Sequence, residues 1–163
     1  IVAQQAVPIL PNDTAHEVFQ KVTVAAEIAL NNVLPMLLSG KAQAVKQDLS
    51  QGGYFGGRRA EDGVIAWSQS AQQIHNLVRA VAPPYPGATT VLMGKPMRIL
   101  QTLVTKCTVA GKMPPAFYVK DGRAYAICGS GVLRVVRFEL DGTEMSAAEF
   151  AAQHGSEKFE FNC

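Results

Sequence analysis

Between Val18 and Leu37 apolar residues return at helical spacing: Val18, Phe19, Val22, Ala25, Ala26, Ala29, Leu30, Val33, Leu34 and Leu37, with polar positions between them. Just ahead, Thr14 and Glu17 form a capping-box pattern, in which the hydroxyl accepts from one orphan N–H and the carboxylate from another. A helix is predicted over 14–38, with Pro35 kinking or ending it and Ser39-Gly40 stopping it. A second stripe, Ile74, Leu77, Val78 and Val81, follows the pair Ser70 and Gln73 and ends at Pro83-Pro84-Tyr85-Pro86-Gly87. Ser146 with Glu149 starts a third, short helix over 146–153.

The remaining apolar positions read as strands. Residues 1–9 alternate weakly and stop at Pro8 and Pro11, and 64–67 is a short strand candidate. Between the first two helices, 50–63 is loop, because its glycines make a regular element costly. After Gly87 the period changes to two, at 89–93, 98–108, 116–119, 123–128 and 132–140. Gly94, Asp121-Gly122, Gly129-Ser130-Gly131 and Asp141-Gly142 punctuate these runs as in a small antiparallel barrel. The predicted class is therefore α/β followed by mainly β, changing near residue 86.

Composition narrows this further. Of 163 residues, 48% are apolar and 17% charged, the balance of a folded chain rather than a disordered one. The net charge of +2 comes from scattered basic residues, which argues against a dedicated nucleic-acid binder. Glu27, Asn31, Asn32 and Pro35 interrupt 22–38, so no run of roughly 20 apolar residues is expected to span a membrane. Cys107, Cys128 and Cys163 are widely spaced with no metal-ligand pattern, so neither a disulfide scaffold nor a zinc site is expected. A cytoplasmic, reducing location is the expectation. The opening Ile1-Val2-Ala3-Gln4-Gln5 has no initiator Met, and further residues are expected ahead of it.

Few residues suggest chemistry. His16, His75 and His154 lie apart, outside any metal or triad motif, and read as surface positions on helices. Ser130 lacks the surroundings of a nucleophile elbow and reads as a turn. Lys95, Arg98, Lys106, Arg134 and Arg137 line either a weak anionic groove or the solvated face of a barrel. The segment Tyr54-Phe55-Gly56-Gly57-Arg58-Arg59 stands apart: glycines let backbone approach a ligand, and paired guanidiniums suit phosphate oxygens. Its plainer reading is an exposed loop with the arginines paired to Glu61 and Asp62.

The order Tyr54-Phe55-Gly56-Gly57-Arg58-Arg59-Ala60-Glu61-Asp62-Gly63, then Trp67, Arg79 and Pro84-Tyr85-Pro86-Gly87-Ala88, resembles the signature stretch of the 10-formyltetrahydrofolate-dependent formyltransferases. That family includes methionyl-tRNA formyltransferase and the nucleotide-sugar N-formyltransferases. The opening five residues, the first helix and the run ending at Phe150 resemble it too, so the likeness covers nearly the whole chain.

The resemblance implies that residues 1–86 are the last portion of a Rossmann-like catalytic domain and 87–163 an OB-like C-terminal barrel. The Gly56-Gly57-Arg58-Arg59 loop is similar to that of enzymes acting on UDP-4-amino-4-deoxy-L-arabinose in lipid A modification. It implies substrate binding by Tyr54, Arg58 and Arg59, with 10-formyltetrahydrofolate as co-substrate and no metal. Trp67 and Arg79 would pack and anchor loops. The catalytic Asn, His and Asp of the family have no counterpart here, so the upstream half of the catalytic domain would be a required partner and this chain alone would be inactive. The alternatives are methionyl-tRNA formyltransferase and a non-catalytic OB-type module that binds single strands through Phe117, Tyr118, Tyr125, Phe138, Phe150, Phe159 or Phe161.

Overall fold

The computed structural model describes residues 1–57, 59–107 and 113–161. The chain forms two compact units, Ile1–Arg58 and Arg59–Cys163.

In the first unit the predicted helix is present as α1, Ala15–Leu38. Both halves of its capping box form: the Thr14 N–H donates to Glu17 Oε2 at 2.7 Å, and the Glu17 N–H to Thr14 Oγ1 at 3.3 Å. Pro35 does not end the helix, which continues to Leu38. The Ser39 N–H and hydroxyl both donate to the Pro35 carbonyl, at 3.1 and 2.8 Å, and Gly40 at φ 69° then turns the chain.

Two expectations for this unit are corrected. Residues 1–9 are not a strand: among the described residues their backbone pairing with 41–57 is confined to Ile1, which exchanges bonds with Val45 at 2.7 and 2.8 Å. A strand needs a ladder of partners, so the α/β character predicted here reduces, among the described residues, to α1 and a 3₁₀ turn over Leu49–Gln51 with irregular flanks. Because α1 runs through Pro35, its 24 residues are also long and apolar enough to cross a membrane by length and composition, against the expectation from its interruptions. Only Ala25 and Val33 of α1 are buried, while Phe19, Val24, Leu30 and Leu38 are exposed.

The second unit is a curled antiparallel sheet with two helices. Its strands are β1 (Ala88–Leu92), β2 (Lys95–Val104), β3 (Ala116–Lys120), β4 (Arg123–Ile127), β5 (Val132–Leu140), β6 (Thr143–Met145) and β7 (Phe159–Glu160). They pair in the order β1-β2-β5-β4-β3-β7, with β6 on β5, and a bridge from Leu92 to Phe161 links the two ends. Met93-Gly94, Asp121-Gly122 and Asp141-Gly142 all take positive φ, the primed-turn geometry that matches strand twist. Thus the Gly-marked hairpins fall where the sequence put them. The strand predicted over 98–108 ends at Val104, and position 108 lies outside the described residues. The candidate over 64–67 is reduced to one bridge, Val64 to Thr89, after a 3₁₀ turn over Ala60–Gly63.

Two helices complete this unit, α2 (Ala71–Val81) and α3 (Ala147–His154), each behind its predicted serine capping box. Helix α2 lies on β2 and sends Ile74, Val78 and Val81 into the core. Helix α3 contributes Phe150, which meets Phe117 and Phe138 edge-on with ring centroids 4.8 and 6.0 Å apart. Such T-shaped geometry sets positive ring edges against negative faces. Trp67 is 3% exposed, lies flat on Phe161 at 3.7 Å, and donates its indole N–H to Thr90 Oγ1 at 2.8 Å.

His75 is the correction within α2. It is buried rather than on the surface, with Nδ1 2.9 Å from Thr102 Oγ1 of β2. The hydroxyl lets an imidazole sit in apolar surroundings without stranding a polar atom. His16 and His154 are half-buried, the latter with its ring 5.1 Å from that of Phe150.

Candidate functional site

The segment 52–57 is built from glycine on both sides of two aromatics, with no helix or strand across it. Tyr54 is 96% exposed and Phe55 92%, so neither ring is held by the first unit. Arg58 lies outside the described residues. Arg59 precedes the 3₁₀ turn, and its backbone N–H donates to Asp62 Oδ2 at 2.8 Å. That bond orients the backbone at Arg59. Among the described residues no ion pair ties its guanidinium to Glu61 or Asp62, so the side chain keeps its forked donors.

The other basic residues divide by their partners. Arg98 makes a bidentate pair with Glu139, Nε to Oε2 and Nη2 to Oε1 both at 2.7 Å, and its Nη1 donates to the Pro86 carbonyl at 3.0 Å. Arg137 pairs with Glu144 at 2.8 and 3.1 Å. The guanidinium bonded to it holds the Glu144 carboxyl below the usual range, and the same bond raises Arg137. These are cross-strand pairs on the solvated face, so Arg98 and Arg137 are committed to the sheet. Arg134, by contrast, has no ion-pair partner among the described residues and stands opposite Tyr125, which stands opposite Tyr118. The two tyrosine rings stack at 5.4 Å. Burial raises the Tyr118 hydroxyl, and the neighbouring Cys107 and Tyr125 raise it further.

The remaining aromatics proposed from sequence for strand binding are core residues: Phe117, Phe138, Phe150 and Phe161 are all buried, and Phe159 packs against them. Ser130 is a turn residue whose carbonyl accepts from the Ala71 N–H at 2.7 Å. Among the described residues no group of three or more His, Cys, Asp or Glu is placed to hold a metal ion. Burial pushes the Cys128 thiol up to about 12, which removes it as a nucleophile at neutral pH. Arg79 Nε donates to Asn76 Oδ1 at 2.9 Å, a contact within one turn of α2. The burial of His75 had a signal in the sequence: it falls four residues after Ala71 and three before Val78, on the same face of α2. The freedom of Phe55 had none, since an aromatic beside glycine is as often packed as exposed.

The fold has solved counterparts. A variant of HypX from Aquifex aeolicus superposes with a TM-score of 0.65 at 15% identity, over 95% of this chain and 29% of its own. An N-formyltransferase from Helicobacter canadensis, solved with folinic acid and dTDP-3-aminofucose, gives 0.59 at 17% identity, over 79% of this chain and 47% of its own. WlaRD, a sugar 3N-formyl transferase solved with dTDP and 5-N-formyl-THF, gives 0.54 at 17%, over 79% and 46%. The chain thus spans less than half the length of each. In sequence, the model of the formyl transferase C-terminal domain matches residues 58–155, from the first arginine of the Arg58-Arg59 pair through α3. By that match, which takes in more than half of its residues, the chain belongs to the formyl transferase C-terminal domain family.

Proposed function

We propose that this chain is the C-terminal portion of a formyltransferase that moves the formyl group of 10-formyltetrahydrofolate to the amino group of a nucleotide-linked sugar. The observation that carries the reading is the family match over 58–155, which opens on the Arg58-Arg59 pair. The solved sugar N-formyltransferases of the same fold, crystallised with dTDP ligands and folates, support the acceptor class.

In this reading residues 1–86 end a Rossmann-like catalytic domain and 87–163 form its OB-like C-terminal domain. Helix α2, near the end of the first, packs its apolar face into the barrel core. The exposed apolar residues of α1 await the rest of that catalytic domain, since burying such side chains is what stabilises a helix of this kind. The folate supplies the formyl group, and we assign no folate contact to this chain. The sugar amine forms the new C–N bond, the bond from the formyl carbon to N10 breaks, and an acid–base group in the upstream catalytic segment takes the amine proton and returns it to N10, which leaves as N10–H. Tyr54, Arg58 and Arg59 bind the nucleotide sugar, the guanidiniums spanning its diphosphate oxygens. UDP-4-amino-4-deoxy-L-arabinose is the acceptor we favour, used in lipid A modification, and the cytoplasm the location.

The test joins the chain to its upstream catalytic segment and assays folate-dependent formylation of the amino sugar. Arg58→Ala and Arg59→Ala should each raise the sugar-nucleotide KM by about tenfold or more, given the strength of charge-assisted contacts. An unchanged KM in both would remove the loop from the site.

A second reading rests on the row of Arg134, Tyr125 and Tyr118, whose aromatic faces and cation suit an RNA strand. It makes the protein a methionyl-tRNA formyltransferase or a non-catalytic strand-binding module. Salt-dependent tRNA binding abolished by Tyr125→Ala would favour it over the sugar enzyme.

A further inference from the structure

Glycine is retained in a fold where a left-handed φ or a close approach requires it, and Gly87, Gly131 and Gly155 meet that description here. Gly52, Gly53, Gly56 and Gly57 do not. None of the four takes a positive φ, and Gly52 sits at φ −95°, ψ 156°, open to any residue. An added Cβ would meet nothing closer than 3.7 Å at Gly52 and Gly53, and nothing within 4 Å at Gly56 or Gly57. The conformation shown therefore makes no use of them, although glycine is the residue that loses most conformational freedom when a loop orders. The two side chains they flank, Tyr54 and Phe55, are the most exposed large apolar groups among the described residues, at 96% and 92%.

We infer that the segment 52–57 is a glycine-hinged lid, and that Tyr54 and Phe55 close on the base of the nucleoside diphosphate sugar proposed above. The inference rests on that reading of the acceptor. In an extended chain adjacent side chains point to opposite sides, so both rings reach one ligand only if the backbone bends, and glycines on either side permit the bend. A base offers the flat face that two free aromatic rings lack in this structure. A lid of this kind also excludes water from the amine during transfer.

The complete enzyme tests this with chymotrypsin, which cuts after Tyr and Phe, and UDP as the probe. Saturating UDP should slow cleavage after Tyr54 and Phe55 by about tenfold or more, while a folate analogue alone leaves it unchanged. The double variant Gly53→Ala with Gly56→Ala should melt no lower than the parent, because both methyls have room. Its kcat/KM for the nucleotide sugar should nevertheless fall by about tenfold, with the folate KM unaltered. UDP binding without protection, together with full activity of the double variant, overturns the lid and leaves the sugar enzyme standing. Failure of the complete enzyme both to bind UDP and to formylate the amino sugar overturns the acceptor assignment and the lid with it.

Discussion

Gly129 passes so close to the main chain of Ser68 that a Cβ built on it would lie 1.9 Å from the Ser68 carbonyl oxygen and 2.5 Å from its carbon. The contact is with backbone, which no rotamer change relieves. Two hydrogen bonds close the same junction, from the Gly129 N–H to the Trp67 carbonyl at 2.8 Å and from the Ala71 N–H to the Ser130 carbonyl at 2.7 Å. The turn after β4 is thereby sewn to the segment that starts α2.

Gly129→Ala should accordingly destabilise the protein by about 3 kcal/mol or more, the range of overpacking against an unyielding neighbour. Gly142→Ala is the control: its φ of 77° strains an alanine, but open space surrounds it, so about 1 kcal/mol is expected. Urea unfolding of both variants gives the comparison, and equal losses would show that the approach at Gly129 is not what holds the junction.

Thr102→Val should remove the hydroxyl partner of His75 Nδ1 and cost about 1–3 kcal/mol, the penalty for an underbonded buried polar group. His75→Ala should cost at least as much, since it also empties part of the α2–β2 interface. A double-mutant cycle should return a coupling of about 1 kcal/mol. Strict additivity would mean that the imidazole and hydroxyl do not interact.

Trp67→Phe should keep an aromatic ring against Phe161 but lose the bond to Thr90, at a cost of about 1 kcal/mol. Trp67→Ala removes both, and about 3–5 kcal/mol is expected. Near-ultraviolet circular dichroism in parallel with thermal melting separates the lost stack from the lost hydrogen bond.

Acid should weaken the fold through its caps and cross-strand pairs. The Thr14 N–H and hydroxyl lower the Glu17 carboxyl, those of Ser146 lower Glu149, and Arg137 lowers Glu144, each from an ordinary 4.5. A carboxyl depressed on folding contributes stability that is complete above its unfolded value and lost as the pH falls through the folded one. The melting temperature should therefore be level above about pH 5 and decline below 4.5, with Glu149→Gln shallower in that decline than the parent. An identical acid limb in the variant would exclude the α3 cap as a contributor.

Alkylation should separate the two described thiols. Cys107 is exposed, whereas Cys128 is buried with its thiol pushed to about 12. At pH 8 iodoacetamide should modify Cys107 in the folded protein and reach Cys128 only on unfolding. Peptide mapping after a timed reaction would show it, and early labelling at Cys128 would mean that β4 opens locally.

The three helices were legible because their determinants are local. Thr14-Glu17, Ser70-Gln73 and Ser146-Glu149 each satisfy their orphan donors within four residues, as the structure repeats. The hairpin turns were legible for the same reason, since Met93-Gly94 and Asp121-Gly122 need only their own positive φ. Residues 1–9 failed as a strand because alternation expresses a preference for a partner without supplying one. Strand β7 escaped notice for the converse reason: two residues carry almost no pattern, and Phe159 and Phe161 are held by β3, Phe150 and Trp67 from far along the chain.

By itself, then, the sequence determined where the helices begin, where the hairpins turn and which segment carries the arginine-flanked glycines. It placed the family resemblance across the junction that the domain match later entered at residue 58. Tertiary structure alone decided that the partner of His75 is Thr102, that Arg98 and Arg137 are taken by glutamates, and that Tyr54 and Phe55 are held by nothing in their unit. The division is physical. A cap or a tight turn is settled by torsions and hydrogen bonds among neighbours, whereas burial and ion pairing depend on which distant residues the sheet brings alongside.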